Sequence, residues 1–271
     1  MKLSIVCPTI RIKNLSKYYS SIVTACKQFT WEVIFISPYL LPEELLNKGN
    51  VRYIHSYADP TTCFNMGCSI ARGEIIMNST DDGLFQEDSL DFALEMMDAA
   101  GPEDLVNFVY AEGVLDDETL EELPASRNKS FQPDDYWLAG FHGALRLPGI
   151  NPNWDLCLHF LIKRVYFEKL GYLDTRFTYV NMNLHILAFT AQMLGSTVHH
   201  LPFVGFRCSH LDGIKDHIAI EQAHNEELSI FVGDYINGAP LPKLLNKDAW
   251  KSRPAFWEKR FKLTIDGIQK L

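Results

Sequence analysis

The chain has 271 residues, 47% of them hydrophobic and 22% charged, enough for one large domain with a core and an appended segment. Its net charge of −9 excludes a non-specific polyanion binder, which needs concentrated Lys and Arg. No apolar run has the length of a membrane-crossing helix, and the six cysteines form no CxxC pair.

The first strand is expected at Leu3 to Cys7, stopped by Pro8-Thr9. It begins so early that no signal peptide fits before it, and the cysteines sit mostly in apolar runs; both point to buried free thiols in a cytoplasmic protein. Leu15 to Gln28 follows at helical spacing, with Leu15, Tyr18, Tyr19, Ile22 and Ala25 or Cys26 on one face. Trp31 to Ile36 is a second apolar strand, ended by Ser37-Pro38, and Pro42 to Leu46 is a short helix. Val51 to His55 is a third strand, Thr62 to Ala71 a helix, and Glu74 to Asn78 a fourth strand running into Ser79-Thr80-Asp81-Asp82-Gly83. Ser89 to Ala100 is a helix, capped by Asp88 or Ser89.

From Glu112 to Asn153 the composition turns acidic and then rich in aromatics, Gly and Pro, which predicts a loop-rich excursion lining or covering a pocket. Within it, Tyr136 to Gly143 offers aromatic faces for a sugar or a base. Leu156 to Leu170 is helix-like, Gly171 to Phe177 a turn, Leu184 to Leu194 a helix and Thr197 to Val204 a strand. After His210 the pattern is largely helical, with a break at Gly238-Ala239-Pro240 and a basic last stretch.

Alternating apolar strands and helices predict an α/β fold with a mainly parallel sheet covered on both faces. Ligands of such sheets bind beyond the carboxyl ends of the strands. Three polar clusters fall there: Pro8-Thr9 with Arg11, Ser37-Pro38-Tyr39, and Thr80-Asp81-Asp82. Adjacent carboxylates at a strand end suit a hard divalent cation neutralising a diphosphate, and they suit a plain turn equally well.

The run Asn65-Met66-Gly67-Cys68-Ser69-Ile70-Ala71-Arg72-Gly73-Glu74, followed by Asp81-Asp82, resembles the N-x-G-x-x-x-A-x-G-E segment before the DxD motif of family 2 inverting glycosyltransferases. Ser4 to Thr9 and Trp31 to Ile36 resemble that family's first two strands. Lys163 to Phe177 is similar to its R-x-x-F-x-x-x-G-G-F-D-x-x-F segment. The resemblance covers roughly 2–100 and 156–210, in the right order.

It implies a GT-A Rossmann-like fold over 1–215, with a donor half at 1–100, a variable insert at 101–155 and an acceptor half at 156–215. A helical extension would occupy 216–271. Pro8, Thr9, Arg11, Ser37, Tyr39, Asn65, Arg72, Thr80 and Asp81 would serve the donor, and Asp82 with His210 would hold Mn²⁺ or Mg²⁺.

Three positions depart from the pattern. The base-contacting Asp after the second strand is replaced near Ser37-Pro38-Tyr39, and the first Asp of DxD falls on Thr80. The E-D-x-D-L segment that supplies the general base reads Val180-Asn181-Met182-Asn183-Leu184, and the amide of Asn181 cannot accept a proton as a carboxylate does. Asp155, Asp174 and His185 are the substitutes in reach of sequence reasoning.

The expected function is transfer of a sugar from a nucleoside diphosphate donor to a hydroxyl acceptor. That acceptor is a glycan, a lipid-linked glycan, a protein, a small molecule or a modified nucleic acid base. The alternatives are a nucleotidyltransferase on a related fold and a catalytically impaired nucleotide-sugar-binding protein. The basic C-terminal stretch is a solvated face or a peripheral membrane contact.

Overall fold

The computed structural model describes residues 1–113, 136–139, 155, 157–178, 180–209, 227, 229 and 230. Strands β1 (Leu3–Pro8), β2 (Trp31–Ser37), β3 (Val51–His55) and β4 (Ile75–Asn78) are joined through helices α1 (Leu15–Ala25), α2 (Glu43–Leu46) and α3 (Pro60–Ile70). Then come β5 (Gly83–Phe85), α4 (Ser89–Ala99), β6 (Leu105–Gly113), β7 (Tyr136–Ala139) and β8 (Phe160–Lys163). The described part closes with α5 (Arg164–Leu170), α6 (Val180–Met193) and β9 (Val198–Ser209).

The sheet runs β3-β2-β1-β4-β8-β6-β9-β5, with β7 paired to β6. β1 is parallel to β2 and β4, β2 to β3, and β6 to β9. The antiparallel pairings are those of β8, β7 and β5. β8 lies antiparallel between β4 and β6, so β6 and β9 point the same way as the first four strands. Their carboxyl ends therefore share one edge.

Alternation of side chains builds two apolar layers. Leu3, Ile5, Cys7, Val33, Phe35, Ile75 and Met77 face one layer, where Leu15, Tyr18 and Ile22 of α1 and Leu90, Leu94 and Met97 of α4 meet them. Val6, Ile34, Ile36, Ile76 and Ile162 face the other, covered by Phe64 of α3, Phe167 of α5 and Leu184 and Leu187 of α6. β9 shifts register against β6 between Asn107 and Tyr110, an irregularity that lets both Leu201 and Phe206 reach the first layer.

Two glycines fix how α3 enters this packing. A Cβ on Gly67 would stand 2.4 Å from Val6 Cγ1 and 2.9 Å from Ile36 Cδ1, so α3 lies directly on the sheet. A Cβ on Gly73 would stand 2.4 Å from the Ser4 amide nitrogen and 2.7 Å from the Leu3 carbonyl carbon.

Several expectations are corrected. Leu156 to Leu170 is not one helix: Phe160–Lys163 is a strand, and α5 begins only at Arg164. A short apolar run such as Phe-Leu-Ile has no period that separates strand from helix, and here the open edges of β4 and β6 claim its backbone. The first helix stops at Ala25 rather than Gln28, because the amides of Lys27 and Gln28 donate to the buried Asp91 carboxylate. Asp88 occupies the N-cap of α4 without a side-chain capping bond and pairs with Lys27 instead. β5 and β6 had no counterpart in the sequence reading, and β7 lies in the stretch read as loop. The acidic segment after Gly113, the aromatic segment beyond Ala139 and most of 210–271 lie outside the described residues.

Candidate functional site

The chain leaves β1 at Pro8 and β4 at Asn78, neighbouring strands whose ends face the same edge. Asp81 joins the two departing loops. Its Oδ2 accepts from Thr9 Oγ1 at 2.7 Å and from the amides of Ile10 and Arg11 at 3.1 and 2.8 Å. Its Oδ1 accepts from Arg11 Nη1 at 2.6 Å, and the backbone carbonyl of Asp81 receives Asn14 Nδ2 at 3.3 Å. The side chain is buried, and its oxygens are taken up by the chain's own donors.

Asp82 differs. Its one described partner is Arg11, at 3.5 Å, and its side chain keeps 13% of its surface exposed. Adjacent in sequence, the two carboxylates thus have separate jobs: Asp81 ties loops together, while Asp82 retains acceptor capacity at the edge. Thr80 lies beside them, its hydroxyl 4.0 Å from Cys208 Sγ, which is in turn 3.9 Å from His159 Nε2. Tyr110 stands edge-on to the His159 ring, which is tilted against Phe206, so this side of the edge is lined by aromatic residues.

The end of β2 adds Ser37 and Tyr39. Ser37 is buried, with its hydroxyl accepting from the Tyr39 amide, while the Tyr39 side chain is exposed. The Thr9 amide donates to the Ile36 carbonyl at 2.9 Å, which places the end of β2 next to the loop held by Asp81. Pro8, Thr9, Arg11, Ser37, Tyr39, Thr80, Asp81 and Asp82 therefore gather at one edge.

Asn65 and Arg72 do not join them. The Asn65 amide pairs with both backbone groups of Leu173, donating to the carbonyl and accepting from the amide at 3.0 Å each. It is a wholly buried clamp between α3 and the turn before α6. The Arg72 amide donates to Glu32 Oε1 at 2.7 Å, beside Ser4 and hence at the amino end of the strands. In these contacts Asn65 positions α3, and the Arg72 amide marks the exit from it.

The α6 entry carries the departure at Asn181. Since α6 leads down to the start of β9, its first turn lies toward the carboxyl edge. Asn183 donates to Thr61 Oγ1 and to the Asp174 carbonyl, and accepts from the Asp174 amide. Thr178, just before α6, donates through its amide at 2.6 Å and through its hydroxyl to the buried Glu227 carboxylate. Glu227 belongs to a segment read only as helical extension; nothing in its local sequence marks it.

The substitutes for a base at Asn181 are all in internal contacts. Asp174 binds Arg176 through both carboxylate oxygens. Asp155 is buried, 3.2 Å from His200 Nε2, and His200 Nδ1 lies 3.2 Å from the Asn107 amide. His185 is held against the Cys157 backbone, and burial pushes its imidazole down to about 4. His210 lies outside the described residues.

Arg207 is a residue that sequence reasoning passed over. It sits on β9 in register with Leu84, two residues after Asp82. Phe206 and Cys208 face the first apolar layer, so Arg207 points to the opposite face of the sheet. Its Nε is buried with no hydrogen-bond partner, and burial lowers the guanidinium's pKa from its ordinary value.

Among the described residues no group of three His, Cys, Asp or Glu could hold a metal ion. A single carboxylate with spare acceptors still fits a small hard cation that takes most of its ligands from phosphates and water. Asp82 meets that condition and Asp81 does not. No described helix is long and apolar enough to cross a membrane.

No protein-family model matches the sequence, and neither does any curated protein. Solved structures do. The crystal structure of S. aureus TarS 1-349 in complex with UDP aligns with a TM-score of 0.51 at 12% identity, over 77% of this chain and 60% of that one. The crystal structure of S. aureus TarS 1-349 aligns with a TM-score of 0.53 at 13% identity, over 86% of this chain and 66% of that one. The chain thus spans less than two thirds of the length of either TarS chain. Likeness at this identity is a likeness of fold, and the fold is of the GT-A Rossmann-like kind.

Proposed function

We propose that the chain is a glycosyltransferase moving a sugar from a nucleoside diphosphate donor to a hydroxyl acceptor with the help of Mn²⁺ or Mg²⁺. The observation that carries this reading is the division of labour between Asp81 and Asp82. A buried aspartate welds the loops after β1 and β4, and the next residue leaves its carboxylate open at the edge where sheets of this kind bind ligands. That the TarS chain of like fold held UDP supports a nucleoside diphosphate at this edge and makes UDP the first ligand to try.

In this reading Asp82 anchors a divalent cation, with His210 as a further ligand. Bound there, the cation supplies positive charge against the departing diphosphate. Pro8, Ser37 and Tyr39 border the nucleotide, Tyr39 offering the exposed ring. Thr9 and Arg11 act by holding Asp81 and thus the loop, rather than through free side chains. Mixing UDP-sugars with the protein and Mn²⁺ should release UDP, and Asp82→Ala should cut that release at least a hundredfold without loss of the fold. Unchanged release in Asp82→Ala overturns the metal role.

Asn181 favours a second reading, a nucleotide-sugar-binding protein without turnover. The three substitute bases are engaged elsewhere, which supports it. Tight UDP-sugar binding with no UDP release across hydroxyl acceptors selects this reading over transfer.

A further inference from the structure

The last residue of β3, His55, lies in register with Ser37 at the end of β2, so both stand at the carboxyl edge. Hydrogen bonds strap the end of β3 to the loop that leaves β2. The Ser56 amide donates to the Ser37 carbonyl at 3.0 Å, and the Tyr53 hydroxyl donates to the Tyr39 carbonyl at 3.0 Å. His55 Nε2 meets the Pro38 carbonyl at 3.1 Å, and the Tyr57 ring stands edge-on to the imidazole at 5.0 Å. The contact with Pro38 decides where the imidazole carries its hydrogen. A carbonyl oxygen only accepts, so Nε2 donates, and in the neutral ring Nδ1 is left as a lone-pair acceptor. Among the described residues none hydrogen-bonds that nitrogen, and His55 is exposed.

Resting on the donor reading above, which puts Ser37 and Tyr39 at the nucleotide, we infer that His55 selects the nucleobase, its Nδ1 accepting an imide N–H. Uracil offers that donor at N3. Cytosine presents a bare nitrogen at the same position, which would set lone pair against lone pair. The Pro38 carbonyl thus acts through the ring: by holding the hydrogen on Nε2 it keeps the outward nitrogen an acceptor. A site built to receive a donor rejects a ligand that lacks one, because the acceptor is then left unpaired. His55 is therefore a specificity residue for uracil over cytosine, and has no part in the charge chemistry at Asp82.

The test is calorimetric titration of the full chain with UDP and with CDP, both with Mn²⁺, for wild type, His55→Phe and His55→Gln. Circular dichroism melts check that each is folded. The two nucleotides carry the same diphosphate, so the ratio of their affinities isolates the base. Wild type should favour UDP roughly tenfold. His55→Phe keeps a ring and loses both nitrogens; it should bring the ratio close to unity while still binding both nucleotides. His55→Gln, whose amide can donate to Pro38 and accept from the base, should keep part of the preference. In ¹⁵N-histidine spectra at mildly alkaline pH, the resonances missing from both variants should report a hydrogen on Nε2, and UDP should shift the Nδ1 signal. Should His55→Phe fail to fold, these spectra and His55→Gln decide. A hydrogen on Nδ1, or the same UDP-to-CDP ratio in wild type and variants, overturns the role of His55 and leaves the donor reading standing. Binding of neither nucleotide by wild type overturns both.

Discussion

Asp81 and Asp82 differ in what surrounds them, and the difference is measurable as stability. Replacing Asp81 with Ala strips partners from the Thr9 hydroxyl, two backbone amides and the Arg11 guanidinium in a buried setting. Breaking a buried, hydrogen-bonded ion pair costs about 3–5 kcal/mol, and Asp82 remains to soften the loss for Arg11. Asp81→Ala should therefore destabilise by about 3 kcal/mol in urea titration, and Asp82→Ala by about 1 kcal/mol or less. Equal losses would contradict the division of roles. His185 gives a pH signature at the same scale. Burial lowers its folded pKa to about 4 from 6.5, so between those values the unfolded chain binds the extra proton. Its contribution is complete above pH 6.5 and is lost as pH falls toward 4, by up to about 3 kcal/mol. Urea midpoints at pH 7 and pH 4.5 should draw apart less in His185→Gln than in wild type; an unchanged gap contradicts this.

At the scale of elements, the glycines of the Asn65-to-Glu74 run explain what that run is for. Gly67 lets α3 lie on Val6 and Ile36, whose side-chain ends have some freedom to shift. At Gly73 the obstruction is backbone of β1, which has none. Gly73→Ala should therefore lower the melting temperature more than Gly67→Ala, the latter costing about 1–3 kcal/mol as overpacking does. The reverse order would place α3 differently. The same run shows what a sequence hides: its residue types signal a shared architecture, while the contacts of the Asn65 side chain with Leu173 and of the Arg72 amide with Glu32 appear only in the packed molecule. β1, β2 and β4 were legible as largely apolar runs bounded by turn residues, and β3 as a short mixed run, Val51 to His55, of strand-favouring residues between them. β8 was not, since Phe160–Lys163 is too short to show a period and becomes a strand only through its neighbours. β6 carried the signal of a buried strand in Leu105 to Ala111, yet what confirms it is long-range pairing with β8 and β9.

Across the whole molecule, one sheet brings together residues that the chain separates widely. The clusters after β1, β2 and β4 were legible as a shared edge from the strand–helix alternation alone. The burial of the Arg207 Nε without a hydrogen-bond partner was not legible, because only packing reveals it. Glu227 was not, because it acts at Thr178 across 49 positions of sequence. The central claim is that this edge binds a nucleoside diphosphate together with a cation that Asp82 helps to hold. A thermal-shift titration with UDP, Mn²⁺ and both together tests it most directly, since a ligand of the folded state raises the melting temperature with concentration. With Asp82 the one carboxylate that the described residues leave without full pairing at this edge, Mn²⁺ alone should shift the transition little, UDP with Mn²⁺ should raise it by several degrees, and Asp82→Ala should abolish the added effect of Mn²⁺. No shift with UDP at millimolar concentration, with or without Mn²⁺, contradicts the account.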